Sequence, residues 1–286
     1  MLESELAINR DELRPTAKFP VCPPYHKGYY LEEYFYHKWV DAGITSERKY
    51  IDIFWTNLCL NKYHVGDEIP DIQSIIDEKL DLKGKYFTIT VPHENIKLPE
   101  DTLVFNSGSN REAYKDVPVP LVCSMIPNVS ERPKDVFCSF VGARTHDLRE
   151  QLFETYKNDP DFVFDRCEWR IDVPQERWKL FKDITSRSKF VLCPRGTGRT
   201  SWRLYEAMQL GAIPVYISDE YYLPWKDVLN WEEFCIFISE KEISDLKEIL
   251  LKISDERYNK MKKIIKAMYN NFFSLEGVFR NIVNRI

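Results

Sequence analysis

The sequence predicts an α/β protein with two domains, each built on a parallel sheet, and three observations carry that reading. A chain of 286 residues is long enough for about two domains, each with a core of its own. Ser188 to Trp225 reads as strand, glycine loop, helix and second strand. The N-terminal part alternates short β-rich apolar runs with helical segments.

Within Ser188 to Trp225, the run Phe190 to Cys193 is long enough for a buried strand, and Pro194-Arg195-Gly196-Thr197-Gly198-Arg199 breaks any regular pattern. The next helix is expected to start at Thr200 or Ser201, either of which can cap it. Leu204, Tyr205 and Met208 give that helix an apolar face, and Gly211 stands where a left-handed terminating residue belongs. Ala212 to Ile217 reads as a second buried strand. The loop then lies at the carboxyl end of a strand, where open α/β sheets bind ligands.

Upstream, residues 1 to 22 read as a polar lead-in, with a short helix expected around Glu3 to Leu13. Pro23 to Val40 is aromatic with helical spacing, and Tyr30, Tyr34 and His37 or Lys38 form a stripe expected to pack into the core. Tyr50 to Trp55 is expected to be a buried strand, Asp71 to Leu80 a helix and Tyr86 to Val91 a strand. Thr102 to Phe105 and Leu121 to Ile126 are expected as further strands, with Pro118 and Pro120 between them. Ile126 to Pro133 reads as a linker. The domains are therefore expected over 1–128 and 129–271, with the last helix, 272–286, packing back on the first. Val136 to Val141 opens the second domain as a strand, followed by a glycine turn and a helix containing Arg149.

Composition excludes several classes. A net charge of −5 argues against a nucleic-acid binder, and 44% apolar with 30% charged residues is ordinary for a globular protein. The charged N-terminus has no signal-peptide pattern, and no run reaches the roughly 18–20 apolar residues of a membrane span. A soluble cytoplasmic protein without a membrane span is expected. The cysteines, odd in number with no C-x-x-C pair, are expected to be free buried thiols. Asp159-Pro160-Asp161 spells a D-x-D, but the proline makes it a turn after a helix, and no metal site is expected.

The glycine loop is locally basic. Arg187, Lys189, Arg195, Arg199 and Arg203 fall between Ser186 and Tyr205 with no acidic residue among them. Two glycines allow close backbone approach, and a helix N-terminus presents amide donors with partial positive charge. These are what a diphosphate needs. Arg203 and Glu206, three apart, share a helix face; the plainer reading is an ion pair worth a few tenths of a kcal/mol.

CPRGTGRTSWRLYEAMQLGAIPVYISDEYYLPW, from Cys193 to Trp225, resembles the C-terminal signature of the exostosin-like glycosyltransferases. Pro23 to Tyr36, Phe54 to Lys62, Lys85 to Pro99 and Phe137 to Leu152 resemble further segments of that family, in family order. The resemblance implies a GT-B architecture of two Rossmann-like α/β domains facing a cleft, and an inverting, metal-independent enzyme that needs no cofactor. Its donor would be a nucleotide-diphosphate sugar, usually a UDP-sugar, and its acceptor an oligosaccharide or glycoprotein glycan. The short form is similar to exostosin-like proteins of bacteria and of large DNA viruses infecting algae. In the viral case the setting is host cytoplasm, with UDP-xylose the first donor to test.

On this resemblance the donor is expected to meet Arg144, Arg149, Arg195, Gly196, Thr197, Gly198, Thr200, Ser201, Arg203, Glu206 and Asp219. Glu94 is the expected catalytic base with His93 as its alternative, and Tyr25, His26 and Lys27 are expected to line the acceptor site. Two other readings stand beside it. One is a glycan-binding protein of the same fold without catalysis. The other is an NAD-dependent oxidoreductase, since Gly196-x-Gly198 with Asp219 about 20 residues on imitates a dinucleotide fingerprint. Against the second, Ser201 replaces the third glycine and arginines crowd the loop.

Overall fold

The structure, a computed structural model, describes residues 6–18, 30–91, 96–108, 116–122, 125–170 and 173–286. The chain divides into two compact units, Met1–Ser124 with Ser274–Ile286, and Met125–Phe273.

In the first unit, β1 (Lys49–Tyr50), β2 (Tyr86–Thr90), β3 (Thr102–Asn106) and β4 (Asp116–Pro118) form a parallel sheet in that order. Every residue of β2 is buried, as a central parallel strand covered on both faces requires. Alternation along β2 sends Phe87 and Tyr86 to opposite faces. Phe87 joins Tyr50, Phe105, and Phe35 and Trp39 of α1 (Leu31–Ala42) in an aromatic core. Phe279, from the C-terminal helix Leu275–Val283, closes that cluster 5.0 Å from Phe35. Tyr86 joins an aliphatic cluster with Ile51, Ile53, Trp55 and Leu58, where α2 (Trp55–Leu60) begins, and with Ile72, Ile75 and Ile76 of α3 (Ile72–Lys79).

Three expectations change here. The strand ends at Tyr50, not Trp55, because the chain beyond leaves the ladder: Phe54 N donates to Leu13 O at 2.9 Å. The buried Asp52 in that stretch accepts from the amides of Ile8 and Asn9 and pairs with Arg14. The expected strand at Leu121 to Ile126 is absent from its described residues; the fourth strand is 116–118, an edge strand that can end in proline. The core face of α1 is Leu31, Phe35 and Trp39, while Tyr34 donates to Glu276 at 2.7 Å and Lys38 is exposed.

In the second unit, β5 (Val136–Ala143), β6 (Phe162–Cys167), β7 (Ser188–Pro194), β8 (Ile213–Ile217) and β9 (Ile236–Ile238) form a parallel sheet in the order β6-β5-β7-β8-β9. Crossings through α4 (Asp147–Tyr156), α5 (Gln175–Arg187) and α6 (Trp202–Gln209) connect the first four, and α7 (Leu246–Leu251) and α8 (Asp255–Phe272) follow β9. This is a doubly wound, Rossmann-like order whose direction reverses between β5 and β7. Each unit is thus a parallel α/β sheet. Gly211 follows α6 at φ 72°, the left-handed position the sequence required of a glycine. β6 and β9 were not legible: Asp165 and Arg166 interrupt the apolar run of β6 to pair with Arg177 and Glu150, and β9 has three residues. Among the described cysteines, Cys59, Cys138, Cys167, Cys193 and Cys235 are free.

Glu32, on α1, is buried in the first unit and accepts from Thr56 N at 2.8 Å, Thr56 Oγ1 at 2.9 Å and Val91 N at 3.0 Å. Burial pushes its carboxyl up to about 8, against the pull of these donors. The neutral acid fits all three neighbours, since its hydroxyl can accept from Val91 N–H while donating to Thr56 Oγ1. A glutamine cannot, because its NH2 has no acceptor to offer the facing amide. With the folded value raised from 4.5 to about 8, the stability contributed by the proton is full below 4.5 and lost as pH rises through 8. Glu32→Gln is therefore expected to cost about 1–3 kcal/mol at pH 5 and less at pH 9. Urea titrations of both proteins at the two pH values check this; a gap that does not narrow contradicts it.

Candidate functional site

At the carboxyl edge of the second sheet, β5 and β7 diverge where the winding reverses, and such switch points open a crevice. The glycine loop leaves β7 there. α6 begins at Trp202, with Ser201 at the N-cap position in extended conformation but making no side-chain cap bond. The helix thus starts where the sequence places it, but without the expected side-chain cap bond. Thr200 is also buried, and its hydroxyl has no hydrogen-bond partner. An uncapped helix start beside an orphaned buried hydroxyl is costly unless something else satisfies them.

Arg149, in the first turn of α4, lies behind this loop. Its Nη1 donates to Ala143 O at 2.8 Å, Nη2 to Pro194 O at 3.2 Å and Nε to Arg195 O at 3.1 Å. One guanidinium so fastens the end of β5 to the end of β7 and the first loop residue. Burial, and after it the nearby Arg203 charge, lower its value to about 10. A Cβ on Gly196 would fall 3.1 Å from Arg149 Nη2 and 3.1 Å from Thr145 Oγ1, a tight fit that the glycine avoids.

Arg203, in the first turn of α6, turns inward. Its Nε donates to Val141 O at 2.5 Å, its Nη1 pairs with Glu206, and its guanidinium lies 4.1 Å from the Phe181 ring centroid. The side chains of Arg203 and Glu206 are 19% and 8% exposed, so this is a fixed, half-buried pair rather than a solvated one. Arg144 is half exposed and pairs with Glu150 at 3.1 Å and Glu168 at 3.4 Å. Arg195 lies 3.3 Å from Glu240, without hydrogen-bond geometry at its Nε, and Arg199 lies 4.2 Å from the Tyr222 ring centroid. Asp219 accepts from Glu240 N at 2.8 Å, at the start of a short 3-10 helix, Glu240–Asp245, that Ser239 and Glu242 cap with their own box.

The structure thus brings together the ends of β5, β7 and α6 with Arg149, Arg203, Glu206, Gly196 and Thr200. Thr197 and Gly198 continue the same loop. Arg144 is tied to flanking acids, and Asp219 is tied to the segment after β9. Asp159 and Asp161 both pair with Lys247, at 2.7 and 2.8 Å. Tyr25, His26, Lys27, His93 and Glu94 lie outside the described residues. Glu32 was missed by sequence reading; a glutamate in an aromatic helix gives no local sign of burial.

The Exostosin GT47 domain model matches residues 86–253, more than half of the chain. The chain belongs to that family. A probable glycosyltransferase of Arabidopsis thaliana is 43% identical to this GT47 chain over 88 residues, 31% of this chain and 19% of the relative. The probable glucuronosyltransferase GUT1 of Oryza sativa subsp. japonica is 34% identical over 138 residues, 44% and 31% of the two chains. The probable beta-1,4-xylosyltransferase IRX10 of Arabidopsis thaliana is 34% identical over 115 residues, 40% and 26%. The matches therefore span about a fifth to a third of the length of these relatives. Among solved structures, AviGT4, a glycosyltransferase involved in avilamycin A biosynthesis, aligns with 99% of the GT47 chain at 10% identity and TM-score 0.46, covering 95% of that protein. Among the described residues, no helix is long and apolar enough to cross a membrane.

The bond from Glu240 N to Asp219 gives a direct check. Asp219→Ala is expected to lower stability by about 1 kcal/mol, as loss of one hydrogen bond does, read as a shift in the urea midpoint. An unchanged midpoint would show that this bond contributes nothing.

Proposed function

We propose that the chain is an inverting glycosyltransferase that moves a sugar from a UDP-sugar to a glycan hydroxyl. The observation that carries this is the set of groups gathered at the switch point of the second unit: an uncapped helix start, an orphaned threonine hydroxyl, and two guanidinium groups close enough to disfavour each other's charge. A diphosphate satisfies all three demands at once. Membership of the exostosin GT47 family supports the same reading.

In this mechanism the second unit holds the donor. Arg203, braced by Glu206 and Phe181, and the amides opening α6 neutralise the charge that grows on UDP as the glycosidic bond breaks. No metal is required for that step. Glu206 and Asp219 are available for ribose or sugar hydroxyls. The first unit holds the acceptor, with Glu94 taking the proton of the attacking hydroxyl and His93 as its alternative. Attack from the face opposite UDP forms the new C–O bond with inversion. The relatives' printed names divide between xylosyl and glucuronosyl transfer, so UDP-xylose is the first donor to test and UDP-glucuronic acid the second.

Arg203→Ala is expected to weaken UDP binding at least about tenfold by calorimetry, and Arg203→Lys to restore little, since a point charge lacks the fork. UDP binding that survives Arg203→Ala, or binding of NAD but not UDP, would sink the donor assignment. Glu94→Gln is expected to lower kcat by roughly 10²–10⁴ with UDP affinity unchanged. The same loss in His93→Asn and not in Glu94→Gln would move the base to His93.

A further inference from the structure

We propose that Arg149 is a positioning residue of the donor site, holding the glycine loop in the shape that receives a diphosphate rather than gripping the diphosphate itself. This rests on the reading of the second unit as the donor site.

Its hydrogen bonds account for three of five N–H groups, and all three go to main-chain carbonyls: Ala143 at the end of β5, Pro194 at the end of β7, and Arg195 in the loop. These carbonyls are six, 45 and 46 residues away in sequence. A planar fork with fixed donor directions is the side chain that can hold three such acceptors at once. The Phe140 ring lies beneath it, with its centroid 5.4 Å from the guanidinium carbon. None of its bonds is to a carboxylate, so a buried positive charge stands behind the loop without a counter-ion. Its position is fixed by those carbonyls, which leaves it little freedom to turn toward a ligand.

Gly196 supplies the independent observation. Its backbone is not in the left-handed region, so its conformation does not demand glycine. Space does: a Cβ there would meet Arg149 Nη2 and Thr145 Oγ1, both at 3.1 Å. A guanidinium held by three carbonyls resists the few tenths of an ångström that an alanine would ask of it, so an alanine presses on the loop. Gly196 is thereby coupled to Arg149, with Thr145 sharing the contact. A direct ligand contact by Arg149 would create no such dependence.

A double-mutant cycle on UDP affinity tests this, with Gly196→Ala, Arg149→Ala and the double variant measured by calorimetry. Gly196→Ala is expected to weaken UDP about tenfold in the native background and less than about threefold once Arg149 is alanine. Additive losses would overturn the proposal. The ratio of UMP to UDP dissociation constants separates shaping from general destabilisation. It is expected to fall at least about fivefold in Arg149→Lys, which keeps the charge and loses the fork. An unchanged ratio in a folded Arg149→Lys protein would also overturn it, and this variant serves if Arg149→Ala does not fold. If the unaltered protein binds no UDP, the donor reading itself fails, which is a different result from additivity.

Discussion

Where a parallel sheet reverses its winding, two strands end side by side with their carbonyls pointing into the same gap. In the second unit that gap holds a guanidinium. Arg149 takes one carbonyl from β5, one from β7 and one from the loop, and so converts two diverging strand ends into a single platform. Replacing it with a smaller group would leave buried carbonyls without donors, a cost comparable to a lost hydrogen bond at each. The loop, the closeness of Gly196, and the start of α6 all follow from that arrangement. Arg203 reaches the same region from the other side of the loop, through Val141 O on β5.

The two units place different polar groups at the carboxyl ends of their strands. In the first, Glu32 ties α1 to the start of α2 and to Val91 just past β2, and Asp52 binds Arg14 just past β1. In the second, the groups there are Arg149, partly buried and bonded to carbonyls, and Arg203, paired with the buried Glu206.

What could be read from the sequence was what is local. Gly211 at its left-handed position, Asp71 capping α3 through Ser74 N, and the strand-loop-helix-strand of the second unit all depend on near neighbours. The same locality explains the misses. Tyr50 to Trp55 looks like one β-rich run, but its pairing with Leu13 is decided by a segment about 40 residues away. The burial of Glu32 depends on Thr56 and Val91, 24 and 59 residues distant. Arg149 reads as one more cation near a glycine loop, and only the fold shows that its fork is spent on carbonyls. The sequence shows only that the loop is basic; that Arg149 is tied to carbonyls and Arg203 to Glu206 is a tertiary fact.

Hydrogen exchange with and without saturating UDP bears most directly on the donor site. Slowed exchange over residues 195–206 and 143–149, with the first unit's sheet unchanged, is the expected result. Slowing confined to residues 86–106, or none anywhere at saturating UDP, would contradict a nucleotide-diphosphate site at the switch point of the second unit.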